Sequence, residues 1–192
     1  LDWEEAFANC TSLKEITIPS QPELLKESAF DGCTSLQTVT YGRDGIVLDC
    51  GGDTEGYIVS SKIAYLISYL GNDGCTVKFK GTADGTTVKC ISAGLKKNTT
   101  GAKFNIDITG LADLTDIPAL AFWKCTALES IALPATVTSI GQSAFEDCTP
   151  LATVYYAGTK AEWEAVTIGT DNAPLSSATI RCSDGDITPS GN

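Results

Sequence analysis

Short segments of alternating apolar and polar residues recur along the chain, and each of them follows the same motif. The motif AFxxCTxL occurs four times, starting at Ala6, Ala29, Ala121 and Ala144, at intervals of 23, 92 and 23 residues. Because 92 is four times 23, one repeat length accounts for all four copies. A fixed period of this size predicts a solenoid in which each coil contributes one short strand to a parallel sheet.

The segments after the motif predict the strands and their two faces. They read LKEITIP, LQTVTYG, LESIALP and LATVYYA. Successive side chains of a strand point to opposite faces, so a period of two separates a core face from an open face. The predicted core residues are Ile16, Ile18, Val39, Tyr41, Ile131, Leu133, Val154 and Tyr156. The predicted open-face residues are Thr17, Thr40, Ala132 and Tyr155.

The middle of the chain breaks the 23-residue period and predicts two wider coils, each made of a helix and a strand. Residues 60–70 and 88–98 place apolar side chains at helical spacing, and alternating segments follow them at 75–81 and 102–110. The residues that alternation adds to the open face are Lys78, Lys80, Asn105 and Asp107.

Together these elements predict an α/β fold, a leucine-rich-repeat solenoid with a curved parallel β-sheet of about seven strands. A closing strand at 178–182 adds Arg181 to the open face. Trp163 is expected to cap the end of the core, because a terminal repeat must cover its last open face. The expected segments are 1–44 (two short repeats), 45–110 (an irregular middle with two helix-strand coils), 111–182 (short repeats and a C-terminal cap) and 183–192 (a tail or linker).

The chain has eight cysteines, and four of them belong to the motif. Cys10, Cys33, Cys125 and Cys148 occupy one position of the repeat, so we expect them to fill a small buried corner of each coil as structural residues. The alternative is a redox or metal ladder, but side chains of parallel coils point the same way, which is poor disulfide geometry.

The other four cysteines, at positions 50, 75, 90 and 182, allow three disulfide connectivities, and the sequence does not choose among them. A bridge between Cys50 and Cys75 across the irregular middle is the candidate disulfide, favoured in an oxidising environment.

Charge and composition exclude several functions. Thirteen basic residues against 24 acidic ones give a net charge of -11, which repels nucleic acids at long range and favours neutral or basic partners. The chain has no histidine, the commonest general base and zinc ligand, and no CxxC pair. We therefore expect no metal, no cofactor and no catalytic residue. The longest apolar run, at 63–70, is too short to insert into a membrane.

The motifs AFxxCTSLxxIxIP, VTSIGxxAF and YYAGTKAEWEAVTIG resemble the BspA-like leucine-rich repeats of bacterial surface proteins. The resemblance is close over residues 1–44 and about 110–185, and looser in the middle. It implies a curved solenoid that is secreted or held at the cell surface, an association with adhesion, and no shared catalytic residues.

The resulting hypothesis is a non-enzymatic, adhesion-type module that binds a protein partner, such as a host extracellular matrix protein or another cell's surface protein. The proposed binding residues are Thr17, Thr40, Lys78, Lys80, Asn105, Asp107, Tyr155 and Arg181. One alternative is a structural spacer that presents other domains. Another is a carbohydrate-binding or glycosidase-like domain, which needs aromatic rings and paired carboxylates in one cleft.

Overall fold

Two β-sheets and three short helices form the part of the chain that the computed structural model describes, which is residues 6–18, 29–47, 67, 70, 73–82 and 85–189. The helices are α1 (Gly85–Lys97), α2 (Lys160–Glu164) and α3 (Ala173–Ser177). Most of the predicted helix at 60–70 lies outside the described residues, although Ile67 is helical.

The larger sheet has eight strands. In spatial order they are β1 (Glu15–Ile18), β2 (Thr38–Val47), β3 (Cys75–Thr82), β4 (Phe104–Leu111), β6 (Leu128–Leu133), β8 (Thr153–Tyr156), β10 (Thr179–Cys182) and β11 (Gly185–Ile187). The first seven run parallel to one another, which confirms the predicted sheet of about seven strands. The eighth, β11, pairs with β10 in the antiparallel sense.

Strand β11 differs from the expectation that 183–192 is a tail or linker. Its residues are polar or glycine except Ile187, so alternation alone does not reveal a strand there. Ile187 lies opposite Ile180 of β10 and packs partly buried against the core. The remaining segment boundaries stay a prediction.

A smaller sheet of three parallel strands was not predicted. It contains β5 (Asp116–Ile117), β7 (Ser139–Ile140) and β9 (Thr167–Ile168). Each strand has two residues, which is too short for a periodic pattern in the sequence.

The buried faces of the strands form one continuous core. A row of apolar side chains crosses the large sheet in register, with Ile16 at its partly buried start, followed by Val39, Val77, Ile106, Ile131, Val154 and Ile180. Full burial of such a side chain stabilises the fold by roughly 1.5–3 kcal/mol. Helix α1 adds Val88, Ile91 and Leu95 to the same core, so it lies on the inner side of the sheet. No coil buries this surface alone, and the coils are stable because they stack.

The repeated motif forms a turn that stacks on the same turn of the next coil. The Phe122 and Phe145 rings lie parallel with their centres 5.2 Å apart, and Phe7 and Phe30 repeat this at 5.6 Å. The Phe122 amide also donates to the carbonyl of Ala144 in the next coil, at 2.7 Å. The conserved spacing of the motif therefore aligns an aromatic stack and a hydrogen bond between coils.

The residue before each motif cysteine has a left-handed backbone. The φ angles are 60° at Asn9, 71° at Gly32, 58° at Lys124 and 59° at Asp147. Glycine, asparagine and aspartate tolerate this conformation best, and three of the four positions use one of them. Lys124 is the exception.

Asn98 joins the two wider coils. Its side-chain amide donates to the carbonyls of Ile67 and Leu70 at 2.7 and 2.8 Å, and its side-chain oxygen accepts from the amide of Thr100 at 3.0 Å. At the far end, Trp163 is 7% exposed and packs edge-on against Tyr156 with ring centres 5.3 Å apart. This burial agrees with the capping role expected of Trp163.

Candidate binding face of the large sheet

Strand register brings most of the predicted binding residues into one line, called here the central row. Its members, in order across the sheet, are Thr17, Thr40, Lys78, Asp107, Ala132, Tyr155, Arg181 and Asp186. All of these side chains are exposed or half-buried, and they lie on the face opposite the core. Asp186 is the one member of the central row that the sequence analysis did not place on the open face, because strand β11 was not predicted.

Asn105 lies in a parallel row two residues earlier in each strand, called here the polar row. Its members are Glu15, Thr38, Thr76, Asn105, Ser130, Thr153 and Thr179. The Ser130 hydroxyl donates to the Asn105 side-chain oxygen at 2.6 Å, and the Asn105 amide donates to the Gly74 carbonyl at 3.0 Å. Extending the alternation two residues towards the start of each strand predicts this row. The polar row adds short hydrogen-bonding side chains beside the central row.

A bulge in β4 fixes the geometry around the acidic member of the central row. Lys78 pairs with Asp107, but Lys80 pairs with Gly110, so β4 contains one extra residue here. Thr109 donates to the Asp107 carboxylate from its backbone amide at 3.0 Å and from its hydroxyl at 2.6 Å. Bulges of this kind re-aim side chains and are typical of functional surfaces. The Asp107 carboxylate is therefore held in one orientation.

Lys80 stands apart from the central row. Its register neighbours on both sides are Gly42 and Gly110, which have no side chains. A side chain at Gly110 would lie 2.5 Å from the Phe79 carbonyl oxygen, so this position needs glycine. The exposed Lys80 ammonium group is consequently accessible from both sides.

The C-terminal end of the central row combines an aromatic ring with charged groups. Tyr155 is 44% exposed, and the Arg181 guanidinium lies 5.8 Å from its ring centre. Arg181 Nε lies 4.0 Å from an Asp186 carboxylate oxygen. An exposed pair of this kind adds little stability, but it keeps the guanidinium beside the ring.

The face differs in charge from the chain as a whole. The two rows and Lys80 carry three basic side chains, Lys78, Lys80 and Arg181, and three acidic ones, Glu15, Asp107 and Asp186. These charges cancel, whereas the whole chain has a net charge of -11. The face is thus a neutral, mixed surface on an acidic molecule.

The motif cysteines lie away from this face and have no reactive character where they are buried. Cys33 and Cys148 donate to the carbonyls of Phe7 and Phe122 in the preceding coil, each at 2.9 Å. Burial raises the pKa of Cys148 to about 12 and that of Cys125 to about 11, so both remain protonated thiols. Cys10, in the first described coil, is exposed. Cys10 therefore differs from the buried corner expected of all four motif cysteines, and their structural role stays a prediction.

The predicted disulfide pairs Cys75 with Cys50. Cys75 is buried, and this burial raises the pKa of its thiol to about 11. Its expected partner, Cys50, lies outside the described residues, so the pairing stays a prediction.

Among the described residues, no group of three or more acidic, cysteine or histidine side chains is arranged to hold a metal ion. No helix in the described ranges has both the length and the apolar character needed to cross a membrane.

Comparison with known proteins gives two matches. A family model described as a BspA type leucine rich repeat region matches residues 3–47 and 97–165, in six copies, which is more than half of the chain. A leucine rich cell surface protein from Faecalibacterium prausnitzii A2-165 is similar at 23% sequence identity, with a TM-score of 0.37. That alignment covers 81% of this chain but only 35% of the other protein, so the chain spans about a third of its length. A search of curated proteins gives no match.

Proposed function

The chain belongs to the BspA type leucine-rich repeat family, and from this premise we propose that it is a non-enzymatic protein-binding module of a secreted or cell-surface bacterial protein. Repeat solenoids use extended sheet surfaces to bind their partners. The observation that carries the proposal is the central row, where strand register aligns tyrosine, arginine, lysine and aspartate side chains on one accessible face.

The dimensions of the face suit a protein partner. Strands lie about 4.8 Å apart, so seven parallel strands present a surface roughly 30 Å wide. A surface of this width matches the patch of about 800 Å² that each partner contributes to a standard protein interface. Tyrosine and arginine are enriched among the residues that dominate binding energy, and Tyr155 and Arg181 are both exposed here.

The charge pattern favours a neutral or basic partner. The acidic remainder of the chain repels acidic macromolecules at long range, while the neutral face offers charges of both signs for specific pairing. Host extracellular matrix proteins and surface proteins of other cells are the partner classes that we propose. Adhesion at the cell surface is the corresponding biological role.

A protein partner suits this face better than a carbohydrate. Carbohydrate clefts rely on several aromatic rings, whereas Tyr155 is the one aromatic side chain in the described parts of the two rows. The spacer alternative makes a different prediction, because a spacer needs no accessible binding residue and tolerates charge reversal on this face.

The test is binding of the purified chain to an immobilised panel of matrix and plasma proteins. The open-face variant combines Lys78→Glu, Lys80→Glu and Tyr155→Ala. The matched control is Lys89→Glu on α1, which reverses one charge on the inner side of the sheet. We expect saturable binding by the unmodified chain and by the control, and at least a tenfold loss of affinity in the open-face variant at an unchanged melting temperature. Equal binding by all three forms, or no binding across the panel, contradicts the proposal and favours a spacer.

A further inference from the structure

A second surface patch lies on the turn before β6, outside the two rows of the open face. It consists of Leu120, Trp123, Lys96 and Lys124, and is called here the tryptophan patch. Trp123 is 37% exposed and Leu120 is 55% exposed. The Lys124 ammonium group lies 4.4 Å from the centre of the Trp123 ring, and the Lys96 ammonium group lies 5.8 Å from it. Two cations thus converge on one exposed indole ring, and the exposed Leu120 lies in the same turn, where its carbonyl accepts from the Trp123 amide at 3.2 Å.

The patch departs from the pattern of the other coils. The position of Trp123 in the motif is occupied elsewhere by Ala8, Asp31 and Glu146, which are small or acidic. Only this coil places a large aromatic side chain there. The sequence signal for the patch is the residue at the first variable position of AFxxC, which is tryptophan in this copy alone among the four.

The backbone of this turn recurs in the next coil, but its residues do not. Leu120 and Lys124 have φ angles of 60° and 58°, and the matching residues Ser143 and Asp147 have φ angles of 54° and 59°. The turn therefore imposes the left-handed conformation, which glycine, asparagine and aspartate adopt most readily. The choice of leucine and lysine at these positions departs from that local preference, and such departures are more frequent at functional sites.

The two lysines have no acidic partner among the described residues. Among the described residues Arg181 pairs with Asp186, whereas no described carboxylate lies within 4.0 Å of the Lys96 or Lys124 ammonium group. This is notable because the chain has 24 acidic residues and 13 basic ones. Two cations that converge on one ring without a counter-charge provide a binding point for carboxylates from outside the molecule.

We infer that the tryptophan patch binds an acidic peptide segment that also carries apolar side chains. Carboxylates of the peptide would pair with Lys96 and Lys124, and its apolar side chains would pack on Leu120 and on the free part of the indole ring. The net negative charge of the chain opposes such a ligand at long range, but salt screens this repulsion beyond about 8 Å at physiological ionic strength. Affinity therefore depends on the local contacts.

A peptide fits the patch better than an acidic sugar does. A sugar ring stacks on the face of an aromatic ring, and here a lysine ammonium group already lies 4.4 Å from the ring centre. Leu120 adds an exposed aliphatic surface that suits a peptide side chain. The patch is independent of the open face, so each of the two binding activities can be removed separately.

The test measures fluorescence anisotropy of a labelled synthetic peptide of alternating aspartate and leucine, titrated with the intact chain. The comparison probes are alternating aspartate-serine and lysine-leucine peptides and an oligogalacturonate. The variants are Trp123→Ala, the double variant Lys96→Gln with Lys124→Gln, and, as the control, Ile168→Ala, which removes an exposed apolar side chain on the smaller sheet. Melting temperatures are recorded for each variant.

We expect the aspartate-leucine peptide to bind at least about tenfold more tightly than the comparison probes. Both patch variants should lose about tenfold or more in affinity, and Ile168→Ala should lose none. Lys124→Gly is a further variant that keeps the left-handed backbone while removing the cation, so a loss of binding there is not a folding defect. The proposal is overturned if the aspartate-leucine peptide does not bind saturably, if the aspartate-serine peptide or the oligogalacturonate binds as tightly, or if Trp123→Ala binds normally.

Discussion

The close stacking of the short coils depends on Gly141, where the chain leaves β7 and passes the preceding coil. A Cβ atom at this position would lie 2.7 Å from the Ala119 Cα atom and 2.8 Å from the Pro118 carbonyl carbon, with the Ala119 amide nitrogen closer still. These are backbone atoms, so they cannot rotate away as a side chain could. We predict that Gly141→Ala forces the two coils apart.

The magnitude follows from three contributions. Overpacking of a well-packed region costs about 1–3 kcal/mol. Separation also weakens two bonds between the coils, from the Gly141 amide to the Ile117 carbonyl at 2.8 Å and from the Leu120 amide to the Gln142 carbonyl at 3.0 Å. Each such bond contributes about 1 kcal/mol. Replacing glycine recovers about 0.4–1 kcal/mol through the lower entropy of the unfolded chain. The expected net loss is about 2–4 kcal/mol.

Thermal unfolding followed by far-ultraviolet circular dichroism measures this loss. In a chain of this size, 1 kcal/mol corresponds to about 2–4 °C, so Gly141→Ala should melt about 5–15 °C lower. The control is Gly101→Ala, where φ is 81° but no atom lies within 4 Å of the added Cβ. Gly101→Ala should lower the free energy of unfolding by a net of about 1 kcal/mol or less, because its only cost is the left-handed backbone. A Gly141→Ala variant that melts no lower than Gly101→Ala would refute the argument from coil contact.

Four further predictions concern the motif turns and helix α2. Gly32→Ala should be destabilising because φ is 71° and the added Cβ would collide with the Asn9 side-chain oxygen, and Asn9→Gly in the same chain should restore part of the melting temperature. Burial raises the pKa of Cys148 to about 12, so the folded state binds the thiol proton more tightly than the unfolded state does. The resulting contribution to the free energy of unfolding should be fully present below the ordinary thiol pKa of about 9 and should be lost as the pH rises from 9 towards 12. Melting curves across this pH range measure the loss. At about pH 8, iodoacetamide should modify the exposed Cys10 and leave Cys148 unmodified in the folded chain, as mass spectrometry can establish. Thr159→Ala should cost about 0.5–2 kcal/mol in urea unfolding, because it removes the N-cap of α2; no change would show that this helix end is not coupled to the fold.

Strand periodicity predicts the central row because side chains alternate on both sides of it in most strands. Lys78, Asp107 and Tyr155 were all placed on one face by counting in twos, and strand register then aligned them. The bulge that places Lys80 opposite Gly110 interrupts the alternation of β4, where Thr109 and Gly110 both lie outside the core and Leu111 returns to it, so strict counting in twos fails beyond Ile108.

Other features depend on tertiary contacts that leave little trace in the sequence. Strand β11 forms because Ile187 reaches the core beside β10, and its own residues have weak strand character. The three strands of the smaller sheet have two residues each and are positioned by stacking of the coils. Trp123 lies at a variable position of the motif, so the repeated letters of the motif do not reveal it.

The central claim is that a protein partner covers the central row. Ala132 lies in the middle of this row between Asp107 and Tyr155, and its small, half-buried side chain lies on the open face. The most direct measurement is the affinity of Ala132→Glu for the partner captured by the panel, beside Ala135→Glu in the exposed turn that follows β6. The account predicts at least a tenfold loss for Ala132→Glu and none for Ala135→Glu, with equal melting temperatures. Unchanged affinity in Ala132→Glu would contradict it.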